Sequence, residues 1–385
     1  MTAQQRELAM KNTNGHSVLI LGNLDFGLYD FRKEVLAAFL KEGYSVHVSV
    51  PDTGYLSRIE ALGCICHPTV MERRGMNPVK DIGLFLFYRK LMKEVRPAVV
   101  LTYTIKPNIY GGTACRLAGI PRIVNITGLG TALENTGILQ KLLTGMYRVS
   151  LRHAACIFFQ NQRNKDFMLE KGCVSPGEHI RVIPGSGVNI REHVQKPYPR
   201  EEGCRLLSVM RIMKDKGIEE LLAAAETIGQ EYPGTVFELV GAFEEETEKV
   251  YGPRIEDLQK KGIVRYYGYR EDTDFFYGRC MALVHPSYHE GMSNVLQEAA
   301  ASGRPIIASD ISGCREIFED GVSGIAFAPK SAESLTDAIR RFLALSTEEK
   351  ERMGVQARRY VERHFDRDRV VACYLEEVRR LTEKA

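Results

Sequence analysis

The chain of 385 residues contains no tryptophan and has a net charge of only +3 at pH 7. Its nine cysteines have no regular spacing, which argues against a disulfide framework and is typical of a reducing cytosol. No apolar run reaches the roughly 18 residues of a membrane-spanning helix. The polar stretch 1–17 also lacks the apolar core of a signal peptide. These absences predict a cytoplasmic protein, and the length predicts about two to three domains.

The sequence also lacks the G-x-G-x-x-G fingerprint of nicotinamide-binding proteins. Gly22 and Gly27 follow the first predicted strand without this spacing, and Pro51 stands where such folds carry an acidic residue. Two aspartate pairs have the D-x-D spacing of metal-binding carboxylates, Asp272 with Asp274 and Asp366 with Asp368. The first pair precedes a predicted helix and the second lies in the C-terminal charged helix, which favours capping or surface roles, so we expect no metal and no other cofactor.

The most informative stretch is 285–299, in which two glutamates occur in a strand, turn and helix context. The apolar strand 281–284 ends at a Pro-Ser corner, which places Glu290 on the turn and Glu298 about two helical turns later. A separation of roughly 12 Å suits two acceptors that hold opposite ends of one elongated polar ligand. The free N–H groups of the helix start between them favour phosphate, so the layout predicts a nucleotide sugar. A solvated surface helix is the alternative, but the apolar residues around Ala299 predict a packed helix.

The segment 285–327 closely resembles the C-terminal domain of the retaining glycosyltransferases of family 4, which have the GT-B fold. In that family the first glutamate of the E-x7-E motif contacts the donor sugar and the second holds the ribose. The resemblance therefore implies these roles for Glu290 and Glu298. Further donor-binding residues implied by it are Gly27, Tyr269, Gly291, Met292, Ser293, Asn294 and Val295.

Two basic residues, Arg211 and Lys216, lie on the predicted loop between the strand 205–209 and a helix. At this spacing they can converge on one diphosphate, the Arg as a fork and the Lys as a point charge. They match the R-x4-K-G motif of the family, which implies that they stabilise the leaving nucleotide diphosphate. With Glu290 they are the predicted catalytic residues. The resemblance requires no separate enzymic base, because the leaving phosphate is thought to help deprotonate the acceptor.

Two motifs of the first half lie at the carboxyl ends of predicted strands, Lys106-Pro107-Asn108 and Thr127-Gly128-Leu129-Gly130. They resemble a subgroup that builds capsule, O-antigen and lipid-linked oligosaccharides, such as the undecaprenyl-diphosphate-linked N-acetylgalactosaminyltransferases. Many family members carry a histidine near position 127, and this chain does not. The group that faces the acceptor is therefore left open among Lys106, Asn125 and Thr127.

The resemblance implies two Rossmann-like α/β domains that face each other across a cleft. Residues 1–195 would bind the acceptor and residues 196–365 the nucleotide sugar. Residues 366–385 would form a helix that crosses back to the first domain.

Charge is unevenly distributed between the halves. Residues 1–195 hold 24 Lys and Arg against 15 Asp and Glu, a net charge of +9, and the remaining 28 against 34 give −6. Segments 82–96 and 138–154 combine apolar and basic residues at helical spacing. The second is either a membrane-surface helix or a core-facing helix with a basic outer face. Together they predict peripheral attachment to an anionic membrane, on the inner face of the cytoplasmic membrane.

The sequence thus predicts a retaining glycosyltransferase that moves a sugar from a nucleotide-diphosphate donor, a UDP-hexose or UDP-N-acetylhexosamine, to a polyprenyl-diphosphate-linked saccharide. No nucleic-acid partner is expected. The first alternative is a UDP-sugar 2-epimerase of the same architecture, which would need acid and base residues in the cleft. The second is a nicotinamide-dependent oxidoreductase, disfavoured by the missing fingerprint.

Overall fold

The computed structural model describes residues 15–72, 77–129, 137–200, 203–244 and 246–383. The chain divides into two compact units, Met1–Ser186 with Asp368–Ala385 and Gly187–Arg367. Each unit contains one parallel sheet with helices around it, which confirms the predicted α/β class. Within the described ranges, no helix combines the length and the apolar content needed to cross a bilayer.

The first unit is built on seven parallel strands. They are β1 (Ser17–Leu21), β2 (Ser45–Ser49), β3 (Ile65–Cys66), β4 (Val99–Tyr103), β5 (Arg122–Ile126), β6 (Cys156–Phe159) and β7 (Ile180–Val182). The helices between them are α1 (Asp25–Lys41), α2 (Leu56–Ala61), α3 (Pro78–Val95), α4 (Gly112–Ala118), α5 (Ile138–Leu151) and α6 (Gln162–Glu170). The strand order β3-β2-β1-β4-β5-β6-β7 changes direction between β1 and β4, where doubly wound sheets bind ligands.

The strands of this sheet are apolar throughout because helices cover both of its faces. In β1, Val18 and Ile20 pack with α1, whereas Leu19 and Leu21 point to the other face and pack with α3. All four side chains are at most 1% exposed. Successive side chains of the strand point to opposite faces, so the sheet packs against a layer of helices on each side.

The second unit has six parallel strands in the order β10-β9-β8-β11-β12-β13. The strands are β8 (Cys204–Val209), β9 (Thr235–Val240), β10 (Val264–Tyr266), β11 (Ala282–His285), β12 (Ile306–Ser309) and β13 (Gly324–Phe327). The helices are α7 (Ile218–Glu231), α8 (Thr247–Lys260), α9 (Thr273–Arg279), α10 (Asn294–Ala301), α11 (Ala332–Leu343) and α12 (Thr347–His364). Here the order changes direction between β8 and β11, so the loops that follow these two strands meet at one edge of the sheet.

The last helix, α13 (Arg367–Thr382), belongs to the first unit. The charged stretch from Arg358 to Arg380 has an apolar side at helical spacing, which predicts one continuous helix. This prediction is wrong, because the chain leaves the helix after His364. At the break, the Val188 N–H donates to the Phe365 carbonyl at 2.8 Å. Residues of α13 then enter the core of the first unit, Val370, Tyr374 and Val378. The prediction that the C-terminal helix crosses back to the first domain is confirmed.

The chain passes from the first to the second unit at Gly187, ahead of the proline-rich stretch that resembles a linker. Two buried arginines hold the intervening segment to the second unit. Arg358 donates to the Ile190 carbonyl at 3.1 Å, and Arg304 donates to the Pro197 carbonyl at 2.7 Å. A buried guanidinium needs several acceptors: Arg304 uses backbone carbonyls, whereas Arg358 combines carbonyls with the Glu362 carboxylate at 2.6 Å.

The first helix begins at Asp25, earlier than the start at Phe31 that the sequence suggests. The buried Asp25 carboxylate accepts from the Phe26 N–H at 2.8 Å and from the Thr53 N–H at 2.7 Å. These bonds fix the first turn of α1 to the loop after β2. Gly27 therefore lies inside the first helical turn rather than in a loop before it.

The packing of α13 gives a test of the first unit's stability. Tyr374 is fully buried and its hydroxyl donates to Asn125 Oδ1, so Tyr374→Phe leaves a buried acceptor unpaired. We expect a loss of about 1–3 kcal/mol in unfolding free energy. Urea denaturation followed by circular dichroism measures it, since the chain has no tryptophan. The partly exposed Tyr232→Phe is the control. Equal stability of the two variants would contradict the role of this hydrogen bond.

Candidate active site

The loops after β8 and β11 are joined at the edge where the second sheet changes direction. The Tyr288 N–H, in the β11 loop, donates to the Asp215 carbonyl, in the β8 loop, at 2.9 Å. Gly217 ends the short 3-10 turn Lys214–Lys216 with φ +75, and a Cβ there would lie 2.1 Å from the Pro286 carbonyl oxygen. Only glycine permits this approach, so the R-x4-K-G spacing serves the contact between the loops as well as the charge.

An ion pair between Lys216 and Glu290 bridges the two loops. Lys216 Nζ lies 2.6 Å from Glu290 Oε1 and 3.4 Å from the Ser287 hydroxyl. The two side chains are only 18% and 15% exposed. Two predicted catalytic residues, far apart in sequence, are thus brought into direct contact.

Glu290 has a second partner in His285, the last residue of β11. His285 Nε2 lies 2.9 Å from the same oxygen, Glu290 Oε1, and 3.3 Å from the Ser293 hydroxyl. Burial on its own would raise the pKa of the Glu290 carboxyl, but the Lys216 ammonium and the His285 hydrogen bond hold that pKa well below its usual value. Glu290 is therefore ionised at neutral pH.

The backbone around Glu290 is fixed from the next strand. Gly313, with φ +89, follows β12, and a Cβ there would lie 2.7 Å from the Glu290 carbonyl oxygen. The Ser293 N–H donates to the Gly313 carbonyl at 2.9 Å. Ser293 is also the N-cap of α10, where its hydroxyl accepts from the Leu296 N–H at 3.4 Å. The predicted donor-binding residues Gly291, Met292, Ser293, Asn294 and Val295 thus form the loop and first turn of α10.

Glu298, the second glutamate of the motif, lies on α10 and accepts from the Tyr277 hydroxyl at 2.9 Å. Burial raises the pKa of Tyr277 well above its usual value, and the neighbouring Glu298 carboxylate raises it further, so Tyr277 is a neutral donor. Tyr277 fixes one end of the motif as Lys216 and His285 fix the other.

Arg211 is more exposed than Lys216 and has a different ion-pair partner. Its guanidinium pairs with Glu244, and its side chain is 42% exposed. The residue before it, Met210, stands where the family has glycine, yet the backbone is close-packed, since a Cβ on Gly241 would lie 1.7 Å from the Met210 carbonyl oxygen. The glycine needed where these two backbones approach each other is Gly241, which follows the neighbouring strand β9.

Tyr269 follows β10 and is 55% exposed. Gly27 is in the first turn of α1, where its missing side chain leaves the nearest contact, Leu24, at 3.6 Å from a Cβ position. Both positions are compatible with binding a ligand, and their roles remain predictions.

The acceptor-side candidates of the first unit differ in their surroundings. Asn125 is 2% exposed, and its amide donates to the Thr102 carbonyl at 3.0 Å while its oxygen accepts from Tyr374. This side chain is used within the core, and the geometry does not support its contact with an acceptor. Lys106 Nζ lies 2.8 Å from Asp81 Oδ1, and Thr127 is half-buried after β5. Gly130 of the same motif lies outside the described residues.

The loop between β4 and Lys106 has an uncommon backbone. Thr104 has φ +71, a left-handed conformation that is strained for a β-branched residue, and its buried hydroxyl has no hydrogen-bond partner in the described part of the chain. A π-helix, Pro107–Gly111, follows directly. Such features concentrate at functional sites, and this one lies at the switch point of the first sheet.

The first of the two D-x-D pairs is engaged by basic side chains. Asp272 pairs with Arg270, and Asp274 pairs with Lys196 and lies 3.3 Å from His193 Nδ1. Another group, Cys156, His179 and Glu377, has ligand atoms within 4.8 Å of one another. Glu377 already accepts from Arg181 and Arg380 there, so a metal cation would meet two guanidinium groups.

The sequence did not reveal four partners of the predicted residues, namely His285, Ser287, Tyr277 and Glu244. His285 and Ser287 lie within the motif stretch, where a polar residue at the end of an apolar strand was a usable signal. Tyr277 and Glu244 come from separate elements, and no spacing relates them to Glu298 or Arg211. Their contacts depend on the tertiary structure.

Comparisons with known proteins agree with this geometry. The family model "Glycosyl transferases group 1" matches residues 189–360, and "Glycosyl transferase 4-like" matches residues 17–161. A relative from Campylobacter jejuni, N,N'-diacetylbacillosaminyl-diphospho-undecaprenol alpha-1,3-N-acetylgalactosaminyltransferase, is 26% identical over 84% of this chain and 88% of its own. The UDP-Gal:alpha-D-GlcNAc-diphosphoundecaprenol alpha-1,3-galactosyltransferase of Escherichia coli is 27% identical over 76% of this chain and 77% of its own.

Among solved structures, HepE of Anabaena in complex with UDP-glucose superposes with a TM-score of 0.79, covering 94% of this chain and 99% of its own at 18% identity. That likeness establishes the fold. Glycosyltransferase family models match both units, and full-length relatives are glycosyltransferases. This chain is therefore a glycosyltransferase with the GT-B fold, in which the first unit matches the glycosyltransferase 4-like family and the second the group 1 glycosyltransferases.

Proposed function

We propose that this enzyme transfers a sugar, with retention of configuration, from a UDP-sugar to a saccharide linked to polyprenyl diphosphate. The observation that carries the proposal is the buried contact of Lys216 with Glu290 at the switch point of the second sheet, on the loop that also carries Arg211. The names of the two curated relatives supply the acceptor class, since both include a diphospho-undecaprenol saccharide. These relatives are transferases and give no support to the 2-epimerase or oxidoreductase alternatives.

In this mechanism the second unit holds the donor. Glu290 accepts hydrogen bonds from hydroxyls of the sugar, and Glu298 accepts them from hydroxyls of the ribose. The N–H groups at the start of α10 face the diphosphate. Lys216 and Arg211 neutralise the charge that grows on the diphosphate as the glycosidic bond breaks. Because these two cations supply the stabilisation that a metal would otherwise give, we expect no metal requirement.

The acceptor is assigned to the first unit. The strained Thr104, the following π-helix and Lys106 lie at the carboxyl end of β4. Asp81 binds Lys106 and also accepts from the Tyr110 hydroxyl at 3.0 Å, which fixes the ammonium in place. Lys106 and Thr127 are the proposed acceptor-side residues.

The membrane contact is proposed on the apolar-basic face, which we define as the outer sides of α3, α4 and α5. The inner sides pack on one face of the first sheet. The outer sides expose apolar residues, Val79, Ile82, Leu86, Leu117, Ile138, Leu139, Leu142 and Val149. Exposed basic residues lie among them, Lys80, Arg89, Lys90, Lys93, Arg116, Lys141, Arg148 and Arg152. This combination is typical of attachment to an anionic bilayer. Helix α5 thus has both features that its sequence predicts, a side that packs in the core and an exposed side with apolar and basic residues.

Lys216→Ala tests the catalytic assignment. We expect kcat to fall by roughly 10²–10³-fold, because a preorganised charge facing the diphosphate is lost. Transfer from radiolabelled UDP-sugars to a polyprenyl-diphosphate-linked saccharide is measured in excess EDTA, in which the wild type should remain active. Lys214→Ala, on the same turn and 66% exposed, is the matched control. A folded Lys216→Ala enzyme with wild-type kcat would remove the assignment.

Glu298→Ala tests donor binding. Loss of a carboxylate that accepts hydrogen bonds costs about 1.5–3 kcal/mol of binding free energy. The KM for the UDP-sugar should therefore rise by about 10–100-fold with little change in kcat. Steady-state kinetics with varied donor give both constants, and the exposed Glu333→Ala serves as the control. An unchanged KM would show that Glu298 does not bind the donor.

Ile138→Asp with Leu142→Asp tests the membrane face. These residues are 87% and 48% exposed, so the double variant should fold, yet it should no longer sediment with anionic vesicles at low salt. Val250→Asp, on α8 of the second unit and 65% exposed, should sediment as the wild type does. Wild-type protein that stays in the supernatant with anionic vesicles at low ionic strength would contradict the membrane proposal.

A further inference from the structure

His285 is a buried polar residue in the second unit to which the mechanism above gives no role. It ends β11 and is 3% exposed. Its Nε2 faces the Glu290 carboxylate at 2.9 Å, and its other ring nitrogen, Nδ1, is buried without a hydrogen-bond partner among the described residues. A core histidine that only filled space would not need to face the one carboxylate on which the site depends.

The geometry fixes the tautomer. An ionised carboxylate can only accept, so the Nε2 that faces Glu290 carries the hydrogen. The depressed pKa of Glu290 agrees, since burial opposes and donors such as Lys216 and His285 favour its charged form. Nδ1 then keeps a lone pair, and no buried N–H is left without an acceptor.

Both donors bind one oxygen of the carboxylate. Lys216 Nζ and His285 Nε2 contact Glu290 Oε1, at 2.6 and 2.9 Å, and neither contacts Oε2. The Glu290 backbone is fixed separately, by the close approach of Gly313. The two contacts restrict the side-chain torsions of Glu290, and both donors leave Oε2 unused.

We propose that His285 is a positioning residue, which together with Lys216 binds Oε1 of Glu290 so that Oε2 is presented to a hydroxyl of the donor sugar. The proposal rests on the proposed function of Glu290. Its physical basis is preorganisation, because a misplacement of about 1 Å can reduce the rate by about 10²-fold. Lys216 cannot perform this task alone, since one contact to a single oxygen leaves the carboxylate able to rotate about that contact.

The test compares His285→Leu with His285→Gln in single-turnover transfer. Leucine fills the space without a donor, whereas the glutamine amide can place an N–H near the position of Nε2. We expect transfer to fall by about 10–100-fold in His285→Leu and to return to within a few-fold of the wild type in His285→Gln. His193→Leu removes another histidine of this unit that faces a carboxylate, Asp274, and should leave transfer unchanged.

A second comparison is made in the Glu290→Gln background. If His285 acts through Glu290, then His285→Leu should cause little further loss there. An equal loss in both backgrounds, or a His285→Gln enzyme as slow as His285→Leu, would overturn the inference while the proposed function stands. Absence of transfer by the wild type with every UDP-sugar would instead overturn the proposed function, and this inference with it. Circular dichroism of each variant shows that the losses are not due to unfolding.

Discussion

The buried contact between Lys216 and Glu290 is the interaction on which the rest of the site depends. Removing two charges from water costs several kcal/mol per ion, so such a pair is a poor way to gain stability. Two hydrogen bonds reduce this cost: His285 donates to the Glu290 carboxylate, and the Ser287 hydroxyl accepts from the Lys216 ammonium. The loops after β8 and β11 are also joined without the charges, through the glycine contact at Gly217. Stability alone therefore does not explain the pair, which agrees with the catalytic role proposed for it.

The protonation of this pair follows from the same geometry. Burial opposes ionisation of Glu290, but the neighbouring cation and the imidazole N–H outweigh it, so the folded-state pKa is lowered. The linkage sign follows: ionised Glu290 contributes stability above its unfolded pKa, and that contribution is lost as the pH falls through the lower folded pKa. The carboxylate therefore stays charged across the neutral range, as the role proposed for it requires.

Most of the architecture could be predicted from the sequence because its signals are local. Apolar runs such as 18–21 and 281–284 predict buried parallel strands, and the spacings of Arg211 with Lys216 and of Glu290 with Glu298 survive intact in the loops and in α10. What failed depends on distant contacts. The chain breaks a continuous helical pattern after His364 because the Phe365 carbonyl is taken by Val188, and no local signal announces that pairing.

The site partners were hidden for the same reason. Asn125 was a reasonable candidate for contact with the sugar acceptor because it lies at a strand end. However, α13 packs on the first unit, and its Tyr374 hydroxyl already donates to the Asn125 side-chain oxygen. His285 was visible as a polar residue at the end of an apolar strand, yet its orientation depends on a turn that Gly313 holds from the next strand. Sequence spacing identifies groups that can meet a ligand, whereas packing decides which of them are already engaged by the protein.

The two basic residues of the donor site are engaged to different degrees, and this difference suggests a division of labour. The exposed pair of Arg211 with Glu244 is worth only about 0.2–1 kcal/mol, so a diphosphate that offers bidentate, charge-assisted bonds can replace Glu244. Lys216 does not need to exchange, because an ammonium has three donors and can keep Glu290 while another N–H meets the phosphate. Under the proposed function, one cation is therefore preorganised and the other is recruited by the donor, so that full assembly of the site depends on the substrate.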